Sequence, residues 1–94
     1  MSHLKKQSES VAALLKQLSH PRRLLILCGL VEGEKTVSEI EQLCGASQSA
    51  VSQFLKSMRS DGLVDSRRSG QHVLYKIADE RVFELMRSLY QIFC

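Results

Sequence analysis

The chain has 94 residues, of which 44% are hydrophobic and 24% charged, with five Gly and one Pro; this is enough for one small domain over residues 1–94 and excludes collagenous, low-complexity and disordered chains. No apolar run is long enough to span a bilayer, and the opening Met1-Ser2-His3-Leu4-Lys5-Lys6 has no signal-peptide core, so a cytoplasmic protein without membrane association is expected. The net charge of +3 is modest, and its placement says more than its sum.

Val11, Leu14, Leu15 and Leu18 recur at i, i+3, i+4, i+7 and predict an amphipathic first helix. Ser19-His20-Pro21 interrupts it, and Pro21 suits the first turn of a second helix, because its missing N–H would have had no partner there. That helix, Arg22 to about Val31, carries Leu24, Leu25, Ile26, Leu27, Cys28, Leu30 and Val31 and reads as apolar on nearly every side, hence buried, with Gly33 closing it. Thr36 and Ser38 offer N-cap oxygens for a short third helix bearing Val37, Ile40 and Leu43 that stops at Gly45. Ser47 caps a fourth helix of about 13 residues ending before Asp61-Gly62, and two helices joined by a short Gly-containing turn make a helix-turn-helix. From Leu63 to Ile77 the alternation of Val73, Tyr75 and Ile77 with His72, Leu74 and Lys76 predicts a hairpin turning at Ser69-Gly70-Gln71. A last helix from Asp79 carries Val82, Phe83, Leu85, Met86, Leu89, Tyr90, Ile92 and Phe93, more apolar surface than one small core covers, which favours a dimer interface over a tightly wrapped core.

The fourth helix sorts into two faces. Val51, Leu55 and Met58, with Phe54 beside them, lie inward; Ser49, Ser52, Gln53, Lys56 and Arg59 lie outward. Gln pairs bidentately with adenine, Arg and Lys reach guanine or phosphate, and Ser serves either, so this is the set a helix in the major groove needs. Ser47 and Gln48 start the helix, where free N–H groups favour phosphate. Residues 47–77 hold Lys56, Arg59, Arg67, Arg68 and Lys76 against Asp61 and Asp65, and no acidic residue lies between Glu41 and Asp61. Arg67, Arg68, Gln71 and His72 flank the hairpin turn, from where they reach the minor groove or flanking phosphates; for His72 a merely solubilising role weighs about evenly. A mostly helical chain in the order ααααββα, with a β-hairpin wing, is a winged helix-turn-helix.

Leu18-Ser19-His20-Pro21-Arg22-Arg23-Leu24-Leu25-Ile26-Leu27 resembles the L-S-H-P-x-R-L-x-I-L signature of the ArsR/SmtB winged-helix repressors. Ala46-Ser47-Gln48-Ser49-Ala50-Val51-Ser52-Gln53-Phe54-Leu55 resembles that family's recognition helix, and Asp61-Gly62-Leu63-Val64 its entry into the wing. The resemblance runs from about residue 10 to the C-terminus. It implies a homodimer joined by the first and last helices, two recognition helices on a near-palindromic double-stranded DNA operator, and repression relieved by an inducer. Ser49 stands where Pro is common, and Phe54 where many members have His, so the phosphate contact of that His is absent and Phe54 is left to pack inward or against a thymine methyl.

Metal sensing is disfavoured. The family's C-V-C pair falls on Thr36-Val37-Ser38, whose hydroxyls are poor ligands for soft metals, and the last helix offers Asp79, Glu80 and Glu84 without a His. Cys28, Cys44 and Cys94 form no C-x-x-C and are an odd number, so neither a disulfide framework nor a zinc site is indicated, and no cofactor is expected. Cys44 reads as a small hydrophobe. Ile26-Leu27-Cys28-Gly29-Leu30 and Leu89-Tyr90-Gln91-Ile92-Phe93-Cys94 resemble the thiol- and reactive-sulfur-sensing branch typified by HlyU, BigR and SqrR. The resemblance implies that Cys28 and Cys94 are neighbours in one subunit, bridged by an oxidant or persulfide inducer to weaken DNA binding. With Cys94 the last residue, a polysulfide bridge is expected to tolerate slack better than a direct disulfide.

Two other readings stay open: a DNA-binding regulator without a thiol sensor, competing with other DNA-bound proteins, and a winged-helix module whose basic face docks an acidic protein. An enzyme is the least expected, since no nucleophile–base set, phosphate loop or metal site is legible.

Overall fold

The computed structural model describes residues 2–94; Met1 of the polar opening lies outside the described residues. Among these there are five helices and three strands: α1 (Ser2–Leu18), α2 (Pro21–Val31), β1 (Lys35–Thr36), α3 (Val37–Cys44), α4 (Gln48–Ser60), β2 (Val64–Ser69), β3 (His72–Ile77) and α5 (Glu80–Phe93). The helices and the wing fall where their caps and periodicity predict. The strand β1 is an addition to the expected ααααββα order, giving an antiparallel sheet in the order β1-β3-β2. Two residues are too few to show a period of two, so only their pairing with β3, Lys35 opposite Tyr75 and Thr36 opposite Leu74, identifies them as a strand.

Local chemistry sets the boundaries. His20, in extended backbone, accepts the Arg22 N–H on its Nδ1 at 3.2 Å and caps α2, with Pro21 in the first turn. Thr36, rather than Ser38, caps α3: its hydroxyl accepts the Glu39 N–H at 3.2 Å while the Glu39 carboxylate accepts the Thr36 N–H at 2.9 Å. Gly45 ends α3 at φ 61°, a left-handed conformation that costs glycine little, and its N–H bonds the Glu41 carbonyl at 2.8 Å. Gly45-Ala46-Ser47 is thereby the turn between α3 and α4. At the far end of α4, the Leu63 N–H bonds the Met58 carbonyl and the Ala78 N–H bonds the Leu63 carbonyl, both at 2.9 Å, which ties the base of the wing to the last turn of the helix.

The core is built from Leu18, Ile26, Leu27, Leu30, Ile40, Val51, Leu55, Met58, Leu63, Val64, Val82 and Met86, so every helix and the wing contribute to one cluster. Gly29 lets α2 approach α3 closely, since a Cβ there would strike the Leu43 side chain. One sequence expectation is corrected. The second helix is not buried on every side: Ile26, Leu27 and Leu30 are, but Leu25 is exposed and Leu24, Cys28 and Val31 are half-buried. Periodicity cannot separate a helix enclosed by its own protomer from one whose apolar sides exceed what that protomer covers. The first helix sends only Leu18 fully into the core; Leu4, Val11 and Leu15 are 60%, 51% and 47% exposed. At the other end, Ile92 and Phe93 of α5 are 71% and 78% exposed. Apolar side chains are thus left uncovered on both terminal helices. No helix among the described residues is long and apolar enough to cross a membrane.

Candidate nucleic-acid interface and thiol pair

The inward and outward faces of α4 separate as its sequence requires. Val51, Leu55 and Met58 are buried, whereas Gln48, Ser49, Ser52, Gln53, Lys56 and Arg59 are all exposed. Ser47 precedes the helix in extended backbone and its Oγ accepts the Ala50 N–H at 3.2 Å, so its oxygen serves the cap and its hydroxyl proton remains available to donate. Phe54 does not join the outward row. It is half-buried against the core, and its ring lies 5.2 Å from that of His20, tilted by 58°. Of the two expected roles for Phe54, inward packing is the one observed.

The wing divides its basic residues. Arg67 pairs across the strands with Leu74, Arg68 with Val73, and Ser69 with His72. Strand alternation puts neighbouring Arg67 and Arg68 on opposite faces of the sheet. Gly70, at φ 62°, and Gln71 make the tip, and Arg68, Gln71 and His72 are exposed. Arg67 is exposed too but already engaged: its Nε and NH2 donate to the two Glu34 carboxylate oxygens at 2.8 and 2.9 Å. Arg67 holds the Glu34 carboxyl below its ordinary range, with Lys76 adding a smaller effect in the same direction. Glu34 is a residue that sequence reasoning missed. It precedes a strand too short to recognise, and nothing in the pattern shows that it meets a residue 33 positions later.

Cys28 lies on α2, which packs against α5, and Cys94 directly follows α5. Burial pushes the Cys28 thiol above its ordinary range, and the charge of the nearby Cys94 sulfur pushes it further. Cys28 is half-buried and Cys94 exposed, and the Cys94 N–H bonds the Tyr90 carbonyl at 2.8 Å, continuing the last turn of α5. Cys44 stands apart, half-buried against the core at the end of α3; burial raises its thiol and Arg22 partly offsets this. Among the described residues no group of three or more His, Cys, Asp or Glu could hold a metal ion.

A helix-turn-helix with a polar, acid-free second helix and an adjoining antiparallel wing is a winged helix-turn-helix. Residues 20–66 match the model of the family described as "Bacterial regulatory protein, arsR family". The chain belongs to the arsR family of bacterial regulatory proteins; it is a transcriptional regulator and not an enzyme. It is 43% identical over 91 residues to the biofilm growth-associated repressor of Xylella fastidiosa strain Temecula1, covering 97% of this chain and 80% of that protein. It is 36% identical over 94 residues to the transcriptional activator HlyU of Vibrio cholerae, covering all of this chain and 87% of that protein. The structure of reduced HlyU from Vibrio cholerae superposes with a TM-score of 0.89 over 100% of this chain and 99% of that one. The solution structure of a homodimeric winged helix-turn-helix DNA-binding domain from Mycobacterium bovis is 33% identical, with a TM-score of 0.76 over 98% of this chain and 85% of that one.

Proposed function

We propose that the chain is a homodimeric transcriptional repressor that binds a near-palindromic operator through α4 and the wing, and releases it when Cys28 and Cys94 are bridged. Ser47, Gln48, Ser49, Ser52, Gln53, Lys56 and Arg59 read the major groove or its phosphates, and Arg68, Gln71 and His72 reach outward from the wing. Arg67 joins them only by leaving Glu34. The exposed apolar residues Leu4, Val11 and Leu15 on α1 and Ile92 and Phe93 on α5 are covered by the second copy. The homodimeric relative from Mycobacterium bovis supports that assembly.

The observation that supports the switch is the packing of α2, which carries Cys28, against α5, whose last turn the exposed Cys94 continues. Cys94, the exposed thiol, reacts first, and Cys28 resolves. With a peroxide, the Cys94 thiolate takes one oxygen, the O–O bond breaks and water leaves, giving a sulfenic acid. The Cys28 sulfur then attacks the Cys94 sulfur, the S–O bond breaks and a second water leaves. The two thiols have lost two electrons and two protons, and the peroxide has become two waters. With an organic polysulfide, exchange at the same two sulfurs leaves a bridge and releases the halves of the oxidant as thiol and persulfide.

The reading is tested by mass spectrometry of peptides from protein treated with peroxide or with a polysulfide, alongside DNA titrations across a salt series. A Cys28–Cys94 cross-link and a log-linear fall of affinity with salt, of slope about −0.9 per phosphate contact, are expected. Cross-linking confined to Cys44, or salt-independent binding, contradicts it.

A further inference from the structure

Arg23 is the third residue of α2, and its side chain is only 14% exposed. One guanidinium nitrogen donates to the Gln17 carbonyl at 3.1 Å and pairs with the Asp61 carboxylate at 2.9 Å; the other donates to the Ser57 hydroxyl at 2.6 Å. The three acceptors belong to the last turn of α1, the last turn of α4 and the residue that caps α4 before the wing. A planar fork with five N–H donors reaches all three in one fixed geometry, which an ammonium on a flexible stem does not. Cys28 lies on the same helix, five residues on, about 7.5 Å along the axis and about 140° around it. One helix therefore holds the recognition helix with one side and a switch thiol with another.

We propose that Arg23 is the positioning residue through which the state of the Cys28/Cys94 pair reaches the recognition helix, an inference that rests on the thiol-switch reading. Bridging draws Cys28 towards Cys94. Between Arg23 and Cys28, Ile26 and Leu27 are fully buried, with Leu30 nearly so one turn of the same face further on, and a close-packed helix responds by shifting as a body rather than by deforming. Hydrogen bonds of 2.6 to 3.1 Å are lost within a displacement of several tenths of an ångström, so a small shift of α2 frees Ser57 or Asp61. The last turn of α4 and the base of the wing then lose their fixed relation to α2. Both half-sites of an operator no longer meet two correctly set recognition helices. Arg23 takes no part in the sulfur chemistry.

The test compares DNA affinity by fluorescence anisotropy, before and after treatment with an organic polysulfide, for wild type, Arg23→Gln and Ser57→Ala. The probe is DNA from upstream of the protein's own coding region, and mass spectrometry confirms the bridge in each sample. Wild type is expected to weaken by about tenfold on treatment, within the usual range of allosteric couplings. Arg23→Gln and Ser57→Ala are expected to form the bridge yet change affinity by about twofold or less. Ser57→Ala removes one acceptor from a surface position, so it keeps the test decisive should Arg23→Gln unfold. If the variants lose affinity or thermal stability but keep the tenfold response, Arg23 is structural only and the proposal is overturned while the thiol switch stands. If wild type forms the bridge without weakening, the thiol-switch reading fails and the proposal fails with it.

Discussion

Glu34 grips Arg67 with both carboxylate oxygens, at 2.8 and 2.9 Å, and so occupies one of the two arginines of the wing. An Arg–carboxylate pair of this bidentate form competes directly with an Arg–phosphate pair of the same geometry. Because the pairing lowers the Glu34 carboxyl, the pair persists above the ordinary carboxylate range and is lost as pH falls through the lowered value. Glu34→Gln is expected to raise operator affinity and to steepen its salt dependence by about 0.9, one extra phosphate contact. Unchanged or weaker binding would mean that the pair braces the wing instead of restraining it.

Within α4, Gln53 and Lys56 are adjacent on the exposed face but are assigned different work. Gln53→Ala is expected to cost about 1–3 kcal/mol on the operator and to relax base preference, as loss of a bidentate base contact does. Lys56→Ala is expected to weaken operator and unrelated DNA alike and to reduce the salt slope by about one. Competition titrations against unrelated duplexes separate the two; equal losses on both kinds of DNA from Gln53→Ala would remove it from base readout.

Helix caps and periodicity made most of the fold legible: Pro21, Thr36, Gly45, Ser47 and Asp79 each mark a boundary that the structure keeps. What they do not carry is pairing at long range. Lys35–Thr36 becomes a strand only by meeting Leu74 and Tyr75, and Arg23 finds its Ser57 and Asp61 partners far along the chain. The outward row of α4 was readable because its neighbours at helical spacing are apolar, whereas the partners of Arg67 and Arg23 follow from tertiary approach. The pairing of Cys28 with Cys94 is implied by resemblance, not by periodicity.

Leu15 is 47% exposed on α1, with Leu4 and Val11 on the same helix. Leu15→Glu removes apolar area from the proposed dimer seam without disturbing the protomer core. Sedimentation velocity is expected to show a shift from dimer to monomer with the helical circular dichroism of the protomer retained. A dimer of undiminished stability would place the seam elsewhere.

Burial and the Cys94 charge both raise the Cys28 thiol, so less of it is thiolate near neutral pH. Alkylation of the reduced protein is therefore expected to label Cys94 well before Cys28 at pH 7, and the Cys28 rate is expected to climb as pH rises above the ordinary thiol range. Replacing Cys94 with Ser removes the charge and moves the Cys28 profile to lower pH. Equal labelling of both thiols at pH 7 would contradict the assignment of Cys94 as the thiol that reacts first.

The Cys28/Cys94 bridge is proposed to control operator binding. Fluorescence anisotropy with upstream DNA tests it most directly, on reduced wild type, wild type treated with a polysulfide, and Cys28→Ser under the same treatment. Release of treated wild type, retention of treated Cys28→Ser, and rebinding of wild type after reduction by dithiothreitol are expected. Treated wild type that stays bound at its reduced affinity would contradict the switch and leave Cys28 as a packing residue of α2.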